Sequence, residues 1–162
     1  MSDTKILCVL AGYDAQTETY LAGIQQSLYD SGFVGTHTKN LIQHITLGTF
    51  SPVDEGMLIE RMKRASETPS FELTFNHIGI FGGAKVLFIA PDPNRELLSL
   101  KENFGSSDNW TPHTTMLIDE PDSIFRAAPF VSKGFKAFRG HVTSLHLYEF
   151  WPTRHIFSID LK

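Results

Sequence analysis

The alternation of apolar and polar positions predicts a regular succession of strands and helices along the chain. An apolar run over residues 5–10 predicts a buried strand, and apolar residues then recur at helical spacing between a capping Asp14 and a terminating Gly32. A strand follows, and then a helix begins near Ser51-Pro52 and ends before Pro69, with two short strands after it. These three strands are predicted at 44–50, 71–75 and 78–81.

The second half of the chain repeats this order of predicted elements. Its segments are predicted as a strand at 85–89, a helix at 94–104, a strand at 113–118, a helix at 122–128, strands near Lys136 and Val142, and a closing strand at 154–161. A shared order indicates a duplicated unit. We therefore expect an α+β fold that is bilobal, with two β-α-β-α-β-β units related by a pseudo-two-fold axis and a central cleft between antiparallel-rich sheets.

The size and composition of the chain fit one globular domain spanning residues 1–162, with 41% hydrophobic and 20% charged residues. Cys8, the only cysteine, lies in an apolar run, which predicts a buried residue and leaves no internal disulfide. No apolar stretch approaches the roughly 18 residues of a membrane span. We expect a soluble, cytoplasmic monomer without membrane association.

The charge of the chain is mildly acidic, at −4. Its basic residues form no cluster larger than that of Arg61, Lys63 and Arg64, which falls on a predicted helix and is typical of a solvated face. Broad binding to duplex DNA requires many cationic contacts to phosphates. The charge pattern therefore excludes a duplex DNA partner and remains compatible with a small or terminal phosphate.

Two short segments carry the pattern His-x-Thr on predicted strands. His44 and Thr46 form the first pair, and His113 and Thr115 form the second, in matching positions of the two units. Side chains two residues apart on a strand point to the same face, so each pair offers an imidazole beside a hydroxyl. Two such pairs facing one cleft could hold a single phosphate, and this arrangement indicates phosphodiester cleavage.

A third segment of this pattern contains His141 and Thr143. It aligns with His77 in the first unit, where the segment His77-Ile78-Gly79 lacks the hydroxyl. We therefore interpret His141 and Thr143 as ordinary strand residues.

The paired segments, in a duplicated α+β chain of this length, resemble the 2H phosphoesterase superfamily, and within it the branch of 2'-5' RNA ligases and cyclic phosphodiesterases. The resemblance implies a cleft site without metal or cofactor, in which His44 and His113 are the general acid and base. It also implies that Thr46 and Thr115 bind the nonbridging oxygens of a 2',3'-cyclic phosphate, a 2'-5' linkage or an RNA terminus. Neither segment indicates which histidine is the acid.

Aromatic and cationic residues near predicted strand ends are candidates for further substrate contacts. Tyr13 and Trp151 adjoin turn residues and are candidates for stacking on a nucleobase, with burial in the core as the alternative. Arg154 and His155 are candidates for a second phosphate contact, with a solvated strand edge as the alternative.

Other chemistries lack their sequence patterns. The spacing of histidines gives no set of zinc ligands, and neither a Gly-x-Ser-x-Gly nucleophile motif nor a phosphate-binding loop of the Gly-x-x-x-x-Gly-Lys-Ser/Thr type is present. Two functions therefore stay open. One is phosphodiester cleavage, and the other is a noncatalytic module that binds a nucleotide or an RNA end in the same groove.

Overall fold

The computed structural model describes residues 4–38 and 40–162. Within them the chain forms strands at β1 (Ile6–Tyr13), β2 (His44–Phe50), β3 (Phe71–Ile80), β4 (Val86–Pro91), β5 (Thr114–Ile118), β6 (Phe138–Phe150) and β7 (Arg154–Asp160). The α-helices are α1 (Ala15–Asp30), α2 (Glu55–Ala65), α3 (Arg95–Glu102) and α4 (Pro121–Gly134). A 3-10 helix, Pro52–Asp54, precedes α2.

The strands form one antiparallel sheet in the order β2-β1-β6-β3-β4-β5, and β7 pairs with the second part of β6. The predicted α+β class is confirmed. The two halves of this order correspond to each other. Counted inward from the two ends of the sheet, β2 matches β5, β1 matches β4 and β6 matches β3. The two units share a single sheet because β6 is long enough to pair with both β1 and β3.

Three elements are longer than the sequence predicts, because the local irregularity or proline that each contains does not end it. β3 continues through a register shift between Phe75 and His77, so the two short strands predicted there are one strand. β6 likewise replaces the two strands predicted near Lys136 and Val142. α4 continues past Pro129, because Val131 still adds to its buried stripe.

The two faces of the sheet have different surroundings. On one face, α1 and α4 cover the main core, which receives Leu7, Val9 and Ala11 from β1. The alternate residues of β1 point to the opposite face, where Cys8 and Leu10 belong to a smaller apolar cluster. We call this opposite face the cleft face. Cys8 is buried, as its sequence context predicts.

No helix among the residues described by the structure combines the length and apolarity that crossing a membrane requires.

Candidate active site

The two His-x-Thr segments lie on the terminal strands of the sheet. Although β2 and β5 stand at opposite ends of the strand order, the curvature of the sheet brings them into contact. His44 is the first residue of β2, and His113 immediately precedes β5. In β2 the half-buried His44 and Thr46 alternate with buried residues, so that both side chains face the cleft.

The two imidazoles make the same hydrogen bond to the backbone. Nδ1 of His44 lies 2.7 Å from the carbonyl oxygen of Ile42, and Nδ1 of His113 lies 2.9 Å from that of Thr111. Because a carbonyl oxygen only accepts, each Nδ1 carries a hydrogen and donates. In the neutral ring the lone pair is therefore on Nε2, which can accept a proton, and in the cation Nε2 can donate one.

The electrostatic environment keeps both imidazoles in the neutral form at pH 7. Burial lowers the pKa of His44 to about 4, and the nearby imidazoles of His113 and His146 lower it as well when they are charged. Burial also lowers the pKa of His113. His44 and His113 thus lie close enough for charge on one ring to disfavour charge on the other, and a phosphate bound between them would favour the cation.

Thr114, the central residue of the second segment, joins the two terminal strands. Its side chain is buried and its hydroxyl donates to the carbonyl oxygen of His44 at 2.9 Å. The oxygen of the same hydroxyl accepts from the hydroxyl of Tyr13, because the single hydrogen of Thr114 is already used. Trp110 adds a second link, since its Nε1 donates to the carbonyl oxygen of Thr46 at 3.3 Å.

Two of the candidate binding residues do not have the placement that the sequence suggests. Tyr13 is only 9% exposed, its hydroxyl is bonded to Thr114, and its ring packs edge-on against Phe75, so the expected stacking on a base is wrong. The guanidinium of Arg154 is bound by the carboxylates of Glu149 and Glu55. Because its charge is already paired, Arg154 is not available in the way that the sequence suggests, and its second phosphate contact stays a prediction.

A cavity of about 260 Å³ adjoins the first imidazole. Its polar lining includes His44, Thr46 and Thr115, and the 63% exposed Trp151 stands at its rim. Trp151 is therefore the one predicted aromatic candidate that is open to a ligand. His113 packs against the rings of both Phe81 and Phe88, at centroid distances of 4.7 and 5.2 Å. Three of the four residues of the two His-x-Thr pairs thus line one cavity, and the fourth, His113, lies near enough for its charge to lower the pKa of His44.

The third segment with this pattern lies elsewhere. His141 is exposed and stands 3.7 Å from the carboxylates of Asp14 and Glu72. The interpretation of His141 and Thr143 as ordinary strand residues agrees with this placement.

Sequence reasoning missed two polar residues of the cleft face, Ser144 and His146 on β6. Their side chains are hydrogen-bonded to each other at 2.8 Å, from the Ser144 Oγ to the His146 Nε2. The only signal in the sequence is the spacing of two residues on a strand, because their nearness to His44 depends on the strand order. Among the described residues, no group of three His, Cys, Asp or Glu side chains is arranged to hold a metal ion.

Comparisons with known proteins agree with this architecture. Residues 16–150 match the family described as the 2'-5' RNA ligase superfamily. The crystal structure of E. coli LigT complexed with 3'-AMP is similar over 99% of both chains, with 18% identity and a TM-score of 0.67. The TT0787 protein of Thermus thermophilus is similar over 96% of this chain and 97% of its own, with 13% identity and a TM-score of 0.66. No curated protein sequence matches significantly.

Proposed function

Because the chain belongs to the 2'-5' RNA ligase superfamily, that of the 2H phosphoesterases, we propose that it is a metal-independent phosphodiesterase acting on 2',3'-cyclic phosphates or 2'-5' linked nucleotides and RNA ends. In this proposal His44 and His113 are the general acid and base, and Thr46 and Thr115 bind the phosphate. The substrate is held within one domain that comprises both halves of the chain.

The observation that carries the proposal is that the two imidazoles have the same tautomer and the same hydrogen bond to the backbone. Both rings are fixed through Nδ1 to a backbone carbonyl, so both have Nε2 free for proton transfer. The backbone bond sets the orientation of each ring before substrate arrives, which lowers the cost of positioning the proton-transfer groups. Each ring can serve as acid or base, depending on whether its Nε2 carries a proton.

The proposed reaction with a 2',3'-cyclic phosphate needs one proton acceptor and one proton donor. A neutral imidazole removes a proton from water, whose oxygen forms the new bond to phosphorus. The bond from phosphorus to one ribose oxygen breaks, and the cationic imidazole gives that oxygen its proton. Thr46 and Thr115 donate hydrogen bonds to the nonbridging oxygens, where negative charge increases in the transition state.

A nucleotide is the proposed ligand class for two reasons. E. coli LigT has been crystallised with 3'-AMP and with ATP, and it shares the fold of this chain. In this chain, Trp151 at the cavity rim offers an exposed aromatic ring on which a nucleobase can stack.

The test is turnover by the purified protein in the presence of EDTA. The substrates are 2',3'-cyclic nucleotides, 2'-5' linked dinucleotides and ADP-ribose cyclic phosphate. We expect H44A and H113A each to lose activity by a factor of about 10² to 10⁴, the usual contribution of acid–base catalysis. H141A is the matched control, because His141 stands in the third His-x-Thr segment and outside the site, and it should retain wild-type activity.

Each alternative result has a distinct meaning. Product formation by both H44A and H113A at the wild-type rate would overturn the mechanism, and loss of activity with EDTA would overturn metal independence. Nucleotide binding without turnover of any substrate would indicate the noncatalytic module.

A further inference from the structure

Ser144 and His146 occupy the same two rows of the cleft face as the first His-x-Thr pair. In one row, Gly12 of β1 pairs with His44 on one side and with Ser144 on the other. In the next row, Leu10 pairs with Thr46 and with His146. Because directly paired residues of adjacent antiparallel strands point to the same face, these polar side chains lie on a common surface.

The absence of a side chain at Gly12 brings this second pair close to His44. A Cβ added at Gly12 would lie 2.6 Å from both the Nε2 of His146 and the Oγ of Ser144. These two atoms therefore occupy the space above Gly12 of β1, and the strand of His44, β2, lies one strand spacing of about 4.8 Å from β1. The influence of a charged His146 on the pKa of His44 agrees with this closeness.

A chain of hydrogen bonds holds His146 in place. Its Nδ1 lies 3.1 Å from the hydroxyl of Ser158, which lies 2.6 Å from Nε2 of His155. When His146 is a cation, both of its nitrogens donate, one to Ser158 and one to Ser144, and the hydroxyl hydrogen of Ser144 is free to turn into the cleft. Burial and the nearby His155 lower the pKa of His146 and outweigh the carboxylate of Asp160, which raises it. An anion bound in the cleft would raise this pKa and so favour the cation.

The corresponding surface on the other half of the sheet is different. In the row next to that of Phe88, the place of Ser144 is taken by His77, which pairs with Ala90 and lies 3.7 Å from the carboxylate of Asp92. There Thr115 pairs with Phe88, and Phe88 pairs with Gly79, which takes the place that His146 has in the first half. The ring of Phe88 fills the space above Gly79, where an added Cβ would lie 2.3 Å from it. The cleft is therefore polar beside His44 and aromatic beside His113.

We propose that Ser144 and His146, held by Ser158 and His155, form an anion subsite that binds a second phosphate of the substrate. This inference rests on the proposed function, and it narrows the substrate class to nucleotides that carry a phosphate in addition to the one that reacts. Because the other half of the cleft has Gly79 and the ring of Phe88 in the place of His146, and the carboxylate of Asp92 beside its own histidine, the second phosphate also fixes the direction in which the substrate lies between the two imidazoles.

The kinetic test uses two substrates that differ only in the second phosphate. They are adenosine 2',3'-cyclic phosphate and the same nucleotide with a 5'-phosphate. We expect the 5'-phosphate to lower KM for the wild type by about 10-fold to 100-fold, the range of a charge-assisted hydrogen bond. In H146Q and S144A this ratio of KM values should fall close to one. H141Q, which changes an exposed histidine of the same strand, should keep the wild-type ratio.

A binding measurement separates this inference from the proposed function. Calorimetric titration with adenosine 3'-phosphate and adenosine 3',5'-bisphosphate requires no turnover, so it applies even if every hydrolysis assay is negative. We expect the wild type and H141Q to bind the bisphosphate more tightly, and H146Q to bind the two ligands about equally. Equal affinities in the wild type, or an undiminished preference in H146Q with the wild-type fold by circular dichroism, would overturn the subsite.

Discussion

At the scale of single residues, the site depends on histidines that are held neutral and oriented before a ligand arrives. His44 and His113 each use Nδ1 for a backbone carbonyl, and burial lowers the pKa of both rings. This arrangement lowers the free energy of unfolding at acidic pH, because there the unfolded chain binds protons at these histidines and the folded chain does not.

The pH dependence of stability should therefore show the contribution of His44. Its pKa is about 4 in the folded protein and about 6.5 when unfolded, so between these values the unfolded chain binds a proton that the folded chain does not. The free energy of unfolding should fall as pH is lowered from 7 to 4, by up to about 3 kcal/mol from this residue. Denaturant unfolding at several pH values should show a smaller fall for H44Q.

H141Q is the control for this comparison, because His141 is exposed. Equal pH dependence of H44Q and the wild type would contradict the assigned state of His44.

The two threonines of the His-x-Thr pairs should affect catalysis more than folding. T46V and T115V each remove a hydroxyl from a half-buried position without changing side-chain size. We expect each to lower kcat/KM by about 10-fold to 1,000-fold, by analogy with the loss of one oxyanion donor. T143V, from the third segment, should be unaffected. Wild-type kcat/KM in both T46V and T115V would show that these hydroxyls do not contact the phosphate.

The sequence indicated the residues of the two His-x-Thr pairs because their spacing is local and duplicated. The sequence did not indicate His146, because His146 is near His44 only when β1 lies between β2 and β6 and has Gly12 at the position between His44 and Ser144. Tyr13 was misjudged for a similar reason. Its position beside Gly12 suggested a turn, whereas its pairing with Val142 turns the ring into the core.

At the scale of elements, β2 and β5 form the site together although no backbone ladder joins them. Thr114 links them through its bond to His44 of β2, and the bond from Tyr13 ties Thr114 to β1 as well. The starts of α1 and α3 were well predicted, because Asp14 and Asn94 cap these helices with local side-chain bonds. The extent of β3 and β6 was not, because long-range pairing carries these strands past local breaks in the pattern.

The link at Thr114 predicts a coupled loss of stability and activity. T114V keeps the volume of the side chain but leaves the carbonyl oxygen of His44 and the hydroxyl of Tyr13 without their partner. We expect the free energy of unfolding to fall by about 1–3 kcal/mol, together with a lower kcat/KM because β2 shifts relative to β5. Thermal unfolding and kinetics on the same preparation measure both effects.

Y13F is the matched control for T114V. It removes the donor to Thr114 but preserves the bond from Thr114 to His44, so stability should fall slightly while activity is retained. A loss of activity in Y13F as large as that in T114V would mean that the link to His44 is not what aligns the strands.

At the scale of the whole molecule, β6 joins the two halves of the sheet. The duplicated order of elements was visible in the sequence as offsets of 69 residues between His44 and His113 and 64 between Ile78 and Val142. The sharing of one sheet was not, because it depends on which distant strands pair with β6. Halves that share a strand should unfold together.

Two tryptophans allow this cooperativity to be measured. Trp110 precedes β5, and Trp151 follows β6. The variants W110F and W151F each leave one fluorescent reporter, in a different half of the sheet. We expect both to show the same midpoint in denaturant, after correction for any change in overall stability followed by circular dichroism. Fluorescence midpoints that depart from the circular dichroism midpoint of the same variant would indicate independent domains.

The joining of β2 and β5 through side chains also bears on how the protein behaves at high concentration. Four backbone carbonyls of these strands already accept hydrogen bonds: His44 from Thr114, Thr46 from Trp110, Met116 from Gln25, and Ile118 from the Thr36 amide. Exposed strand edges with free carbonyls invite the addition of a strand from another molecule and hence aggregation. These contacts, two of which join the proposed catalytic strands, therefore leave fewer free acceptors for self-association.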